Sequence, residues 1–390
     1  SAAPSSPSSG GPRFPNGRGF GTLTAPHLDR NSEFRRTGEL TAQRRNILRL
    51  PQGTESFHLS EALRHRRRLR RLEDLYSSWG YLPVETPVFD FYDVYAPLMQ
   101  AKAVGEVYRL IDREGELLML RSDATLFLAK QLGLILQDED LPVRVYYADT
   151  ILRHQDPEDI SKNEFIQTGV ELIGEAGAEA EAEVLLLLWE TLADTGATDA
   201  VIHLGSRRVI NAVTAGMTEG AAAQLRSAVT LRNLDGIRTA VGGTGLDGTG
   251  PGEGTSRAAG KELVELLSFI GTGTELAELR TRLVGAASAE ILSGLDHLAR
   301  LADELSQIIP AERLRIDLSE VGGQPYYTGI VFRAYIPGTD SEIASGGRYD
   351  ELLGRYGFNA PSVGFSLLPG KVESARSRTP RPEELPVPAQ

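Results

Sequence analysis

Phe165, Gln167, Gly169 and Glu171 are spaced two apart in the stretch NEFIQTGVELIG at 163–174, setting an amide, a gap and a carboxylate in a row. The stretch reads as a β-strand, and strand side chains alternate between faces. Ile166, Thr168, Val170 and Leu172 then share the mostly apolar face, and the polar residues share the other. Glycine weakens a strand interior and often marks a close approach by a ligand or another backbone. Two readings stay open on these residues alone: the floor of a polar pocket, or a face turned to solvent.

Composition narrows the chemistry. The chain has 390 residues, 41% hydrophobic and 24% charged, as expected of a globular protein with a sizeable core. It has no cysteine, which excludes disulfides, thiolate catalysis and Cys-ligated metal sites. Six histidines without an HExxH pattern give no zinc-enzyme signature. A net charge of −12 argues against a general nucleic-acid binder, which needs a basic footprint. No apolar run approaches the ~18 residues of a membrane span, and no secretory h-region is visible. A cytoplasmic protein is expected, without metal or cofactor.

The elements that must position the polar strand follow from periodicity. LSEALRHRRRLRRLEDLYSSWGY carries Leu59, Leu63, Leu69, Leu72, Tyr76 and Trp79 at roughly helical spacing, with Gly80 at the C-terminal cap. Its arginine run fits a solvated helix face better than a nucleic-acid patch. YLPVETPVFDFYDVY reads as extended and broken by prolines. ELLMLRSDATLFLAKQLG is a strand running into a helix, with Asp123 at the turn. VRVYYADTILR is a second strand, expected to pair antiparallel with the polar one across the loop HQDPEDISKN. AEAEAEVLLLLWETLADTG is a helix closed by Gly196. Residues 205–310 alternate helical patterns with glycine-rich joints; GTGLDG at 243–248 matches GxGxxG but lacks the preceding strand and following helix of a dinucleotide site. Residues 1–48 and 372–390 are Ser-, Pro- or Gly-rich and are expected to be disordered tails.

YYTGIVF, GGRYDELL and PSVGFSLL, together with RSDAT and the LRHQ…NEFIQTGVELIG pair, carry a further message. In this order, from about Leu50 to Lys371, they resemble the catalytic domain of class II histidyl-tRNA synthetases. The resemblance implies an α+β fold: one domain over 49–371, built on a six- or seven-stranded antiparallel sheet flanked by helices. Residues 205–310 would be a helical insertion, and the stretch from Trp79 to Phe89 a dimer motif. It also implies a histidine pocket. Asp123, in the turn Arg121-Ser122-Asp123-Ala124-Thr125, would hold the ligand's α-amino group, Gln167 would be the strand glutamine, and Glu171 would grip the imidazole. Tyr327 would close over the ring, and Thr125, Arg153 and Tyr326 complete the set. Arg153 and Arg348 would be the pocket's cations, and Tyr327 and Gly329 would share a strand face. Carboxylates suit an ammonium and an imidazole N–H, and one can fix the imidazole tautomer.

Departures from the pattern fall on ATP handling. Gly322 stands where the family has an arginine, Lys371 where a second arginine ends the last motif, and Gln155 where a glutamate reads adenine. Pro369 and Gly370 are expected to break the helix of that last motif. Adenylation needs cations on the α-phosphate, and lysine lacks the bidentate fork of arginine. No anticodon-binding domain is expected after Lys371. The combination resembles the regulatory subunits of ATP phosphoribosyltransferase, synthetase paralogues in histidine biosynthesis. It implies a chain with no catalytic residues that pairs with a short-form catalytic subunit, self-associates through the dimer motif, forms a hetero-octamer and relays feedback inhibition by histidine without binding tRNA. The alternatives are a working or degenerate histidyl-tRNA synthetase, and a pseudo-enzyme or amino-acid-modifying enzyme on the same fold.

Overall fold

The computed structural model describes residues 50–51, 53–154, 162–241, 257–339 and 341–378. The expected N-terminal tail, Gln155 and the GTGLDG stretch lie outside them.

Helix α1 (Leu59–Ser78) leads into β1 (Leu82–Pro83) and β2 (Phe89–Phe91). Short helices α2 (Tyr92–Tyr95) and α3 (Ala101–Glu106) precede β3 (Arg109–Ile111) and β4 (Leu117–Leu120). Helix α4 (Ala124–Ile135), the hairpin strands β5 (Val143–Leu152) and β6 (Glu164–Ile173), and helix α5 (Ala178–Asp194) follow. Strand β7 (Val201–Ser206) opens a helix-rich stretch of α6 (Arg207–Thr214), α7 (Glu219–Thr230), α8 (Leu234–Val241) and α9 (Arg257–Leu267). It continues with β8 (Ile270–Gly271), α10 (Gly273–Arg282) and α11 (Ala289–Leu305). The chain then returns through β9 (Leu314–Asp317), β10 (Ile330–Tyr335), β11 (Ala344–Arg348), β12 (Ser362–Leu367) and α12 (Pro369–Arg378).

The main sheet has nine strands in the order β1-β5-β6-β12-β11-β10-β7-β9-β8. Its six central strands, β5 to β7 in that order, pair antiparallel throughout. The expected six or seven strands are extended because β1 joins β5 and β9 joins β7 in parallel, and β8 pairs with β9. Strands β2, β4 and β3 form a separate small sheet. The 205–310 stretch is therefore more than helical: it supplies an edge strand, and Ile291, Leu295 and Leu298 of α11 share one apolar core with Leu185 of α5 and Ile202 of β7.

Helix α1 departs from its expected leucine stripe. Leu72 and Tyr76 are buried, but Leu59 is 87% exposed and Leu63 48%. Only its C-terminal half reaches the sheet, where Tyr76 lies against Tyr146 and Phe365. Gly80 (φ +83°) and Gly196 (φ +82°) adopt the left-handed conformation expected just past a helix end. At the other terminus, the expected tail from 372 is corrected over 372–378. Pro369 starts α12 rather than breaking a helix, since a first-turn proline loses no intrahelical bond, and Val372 and Ala375 are buried.

Candidate ligand pocket

Strand β6 pairs residue for residue with β5, from Val143 opposite Ile173 to Leu152 opposite Glu164. Its apolar face, with Thr168, Val170 and Leu172 fully buried, is covered by the α1–α5 core. The polar face is not turned to solvent. Glu171 is 1% exposed, and Gln167 is half-buried. Gly169 answers a crowding problem posed by protein: a Cβ there would lie 2.6 Å from the Tyr147 hydroxyl and run into the Phe365 carbonyl. The gap on this face is filled by the neighbouring strands, not held open for a ligand.

Asp123, Thr125, Arg153, Gln167, Glu171, Tyr326 and Tyr327 all line one cavity of about 130 Å³. Asp123 is the N-cap of α4: its carboxylate accepts from the Leu126 N–H at 3.0 Å and from Gln324 Nε2 at 3.3 Å. Gln167 Oε1 accepts the Ala124 N–H at 3.2 Å, tying β6 to the same helix start. Glu171 is gripped at both oxygens. Thr125 Oγ1 donates to one at 2.7 Å, and the Tyr349 hydroxyl donates to the other.

Burial pushes the Glu171 carboxyl up to about 8, against the two hydroxyl donors and with the help of the nearby Asp123 charge. Withdrawal from water also raises Asp123, which the Leu126 N–H and Arg153 only partly offset. Two buried carboxyls facing one cavity suit a cationic, N–H-rich ligand, whose charge would favour their ionised forms. The wider cavity wall adds Glu320 and Glu342, with Arg333 3.2 Å from the first and 3.9 Å from the second. Four carboxyls thus face two guanidinium groups, Arg153 and Arg333, a poor match for a polyphosphate.

Tyr326 and Tyr327 form an aromatic wall, their ring centroids 5.2 Å apart, and Tyr326 meets Tyr349 edge-on at 5.7 Å. Neither lies in a strand. Tyr326 sits in the turn before β10, so the expected strand face shared by Tyr327 and Gly329 does not exist; a Cβ on Gly329 would meet the Arg348 stem instead. Arg348 is likewise no pocket cation. Its guanidinium turns to the other side of β11, to Glu181, Asp350 and the Glu175 and Gly177 carbonyls. Strand alternation explains the reversal: Tyr349, next in sequence, faces the cavity.

The ATP-handling positions are also placed. Gly322 has φ +77°, and a Cβ there would be 2.7 Å from the Tyr327 ring. Lys371 is largely buried, bonds Ser341 and does not line the cavity. Tyr349, Gln324, Arg333 and the two outer glutamates were not legible as site residues. Tyr349 alone had a signal, its place in GGRYD.

The histidyl-tRNA synthetase family model matches residues 53–372. The ATP phosphoribosyltransferase regulatory subunit of Moorella thermoacetica is 32% identical over 334 residues, covering 85% of this chain and 83% of that protein. The regulatory subunit of Symbiobacterium thermophilum is 33% identical, covering 82% and 77%. The histidine–tRNA ligase of Pyrobaculum arsenaticum is 34% identical, covering 77% and 69%. Among solved structures, an ATP phosphoribosyltransferase regulatory subunit/histidyl-tRNA synthetase from Bacillus halodurans superposes with a TM-score of 0.74 at 26% identity, covering 84% and 83%. The chain belongs to the histidyl-tRNA synthetase family, in the group that contains the ATP phosphoribosyltransferase regulatory subunits.

Proposed function

We propose that this chain is a regulatory subunit of ATP phosphoribosyltransferase, required by a short-form catalytic subunit and responsible for feedback inhibition by histidine. One observation carries the reading: Glu171 and Asp123 keep a pocket suited to an imidazole and an ammonium, while Gly322 offers no cation where the synthetases place an arginine for the nucleotide phosphate. In this reading Glu171 accepts the imidazole N–H, Asp123 takes the α-ammonium and Arg153 the α-carboxylate. The chain itself catalyses nothing, and it binds neither cofactor nor tRNA. Among the described residues no helix is long and apolar enough to cross a membrane, in keeping with work in the cytoplasm.

Self-association is part of the proposal. The small sheet presents Phe89 at 56% exposure, Phe91 at 48% and Leu110 at 39%. Such a run of exposed apolar side chains is a surface that a second copy covers. The assembled enzyme is then a hetero-octamer with four chains of each kind.

The test is calorimetric titration with histidine, followed by assay with the catalytic subunit. Histidine binding, stimulation of the catalytic subunit and histidine-dependent inhibition are expected together. The Pyrobaculum likeness favours a second reading, a synthetase, which histidine-dependent exchange of pyrophosphate into ATP detects. Exchange at a synthetase-like rate, or turnover of phosphoribosyl transfer by the chain alone, overturns the proposal.

A further inference from the structure

A second cavity, of about 370 Å³, lies against the same Tyr326–Tyr327 wall and is also lined by Arg207, Asn211, Glu351 and Arg355. Arg207 opens α6 and is half-buried. Its guanidinium donates to the Val321 carbonyl at 3.0 Å, and among the described residues no carboxylate comes within ion-pairing distance. Other withdrawn arginines in this chain are paired: Arg121 with Asp149 at 2.9 Å, Arg144 with Glu183 at 2.8 Å. Burial lowers the affinity of Arg207 for its proton, and the charge of Arg226 lowers it further. A guanidinium is effectively always charged, so a half-buried one without a counter-ion marks a place where an anion is stabilised.

Arg355, on the turn Leu353–Tyr356, supplies a second guanidinium to the same cavity and also has no carboxylate partner among the described residues. The exposed Glu351 is the one acidic group in the lining, leaving a single net positive charge. Pro97, Leu98, Pro325 and Leu352 add apolar wall, and Thr328 a hydroxyl-bearing side chain. We propose that this cavity binds a small phosphate-bearing molecule, its phosphoryl oxygens bridging Arg207 and Arg355. Two guanidinium forks on separate elements match a tetrahedral dianion, whose oxygens point in several directions, better than a planar carboxylate.

The assignment does not rest on the histidine reading, and the test is run without histidine. The full chain is titrated with inorganic phosphate at low ionic strength by calorimetry, with acetate as the carboxylate arm. Saturable one-to-one phosphate binding is expected, at least ~10-fold tighter than acetate. Arg355→Gln, at an exposed position, weakens it at least ~10-fold, as does Arg207→Met. Arg67→Gln, an exposed change on α1, leaves it unaltered. No saturation, equal binding of acetate, or wild-type affinity in Arg355→Gln overturns the proposal.

Discussion

Glu171 and Gly364 stand opposite each other across the β6–β12 pair, and the Glu171 carboxylate occupies the space that a Cβ on residue 364 would need. The glycine is therefore part of the pocket although it offers no functional group. Gly364→Ala forces the carboxylate, the strand or both to move, because the Val170 carbonyl closes the other way out. Overpacking of this kind costs about 1–3 kcal/mol. A lower melting temperature and a loss of histidine binding are expected together. Gly220→Ala, in α7 where a methyl group meets nothing within 4 Å, provides the contrast and should be neutral or stabilising by about 0.4–1 kcal/mol.

Glu171→Gln keeps the shape and removes the carboxyl that a bound imidazole would draw into its charged form. A hydrogen bond to a charged group contributes about 1.5–3 kcal/mol, so histidine affinity should fall at least ~10-fold. In the assembled enzyme, the inhibition curve shifts by a similar factor while uninhibited turnover stays near wild type. Glu164→Gln, at the exposed start of the same strand, should change neither. Calorimetry together with inhibition of the reconstituted enzyme checks both variants, and a wild-type response in Glu171→Gln would place the regulatory site elsewhere.

The same carboxyl makes the stability of the chain sensitive to pH. Glu171 titrates near 4.5 when unfolded and near 8 when folded. Between these values the folded state holds the extra proton, so stability falls as pH rises and levels off above about 8. Melting temperature measured from pH 4.5 to 9 should show this decline in the wild type. The part due to Glu171 should vanish in Glu171→Gln. Tyr349→Phe removes a donor to the ionised form, which raises the folded value further and extends the decline to higher pH.

Much of the pocket was legible because it sits on regular elements. Period-two alternation along 164–173 set Gln167 and Glu171 on one face and the strand-to-helix turn marked Asp123, while the pocket itself and its other members, Thr125, Arg153, Tyr326 and Tyr327, came from the family resemblance; all seven line one cavity. What escaped lies where periodicity ends. Tyr326 occupies a turn, so alternation misplaced Tyr327 against Gly329; Arg348 and Tyr349 straddle a strand end, and only the structure shows which side each takes. The parallel pairings of β1 and β9 were invisible because two- and four-residue strands carry too little pattern to register. The leucine stripe of α1 misled in the opposite sense, since helical spacing marks a face without saying how far along the helix it is covered.

Restoring the missing cation tests whether the pocket is one substitution from a synthetase. Gly322→Arg should give no histidine-dependent pyrophosphate exchange. Residue 322 holds a left-handed backbone conformation, which costs an L side chain roughly 1–2 kcal/mol, and the Tyr327 ring fills the space its Cβ needs. An arginine there displaces the aromatic wall before it can reach a phosphate. Combining it with Lys371→Arg should not help, because residue 371 lies near the start of α12, bonded to Ser341 and outside the cavity lining. Lower melting temperature and weaker histidine binding are the expected results for Gly322→Arg, read by thermal melts and calorimetry. Rapid histidyl-adenylate formation by either variant would mean that the phosphate site is intact and that a single charge, not the local backbone, separates this chain from adenylation.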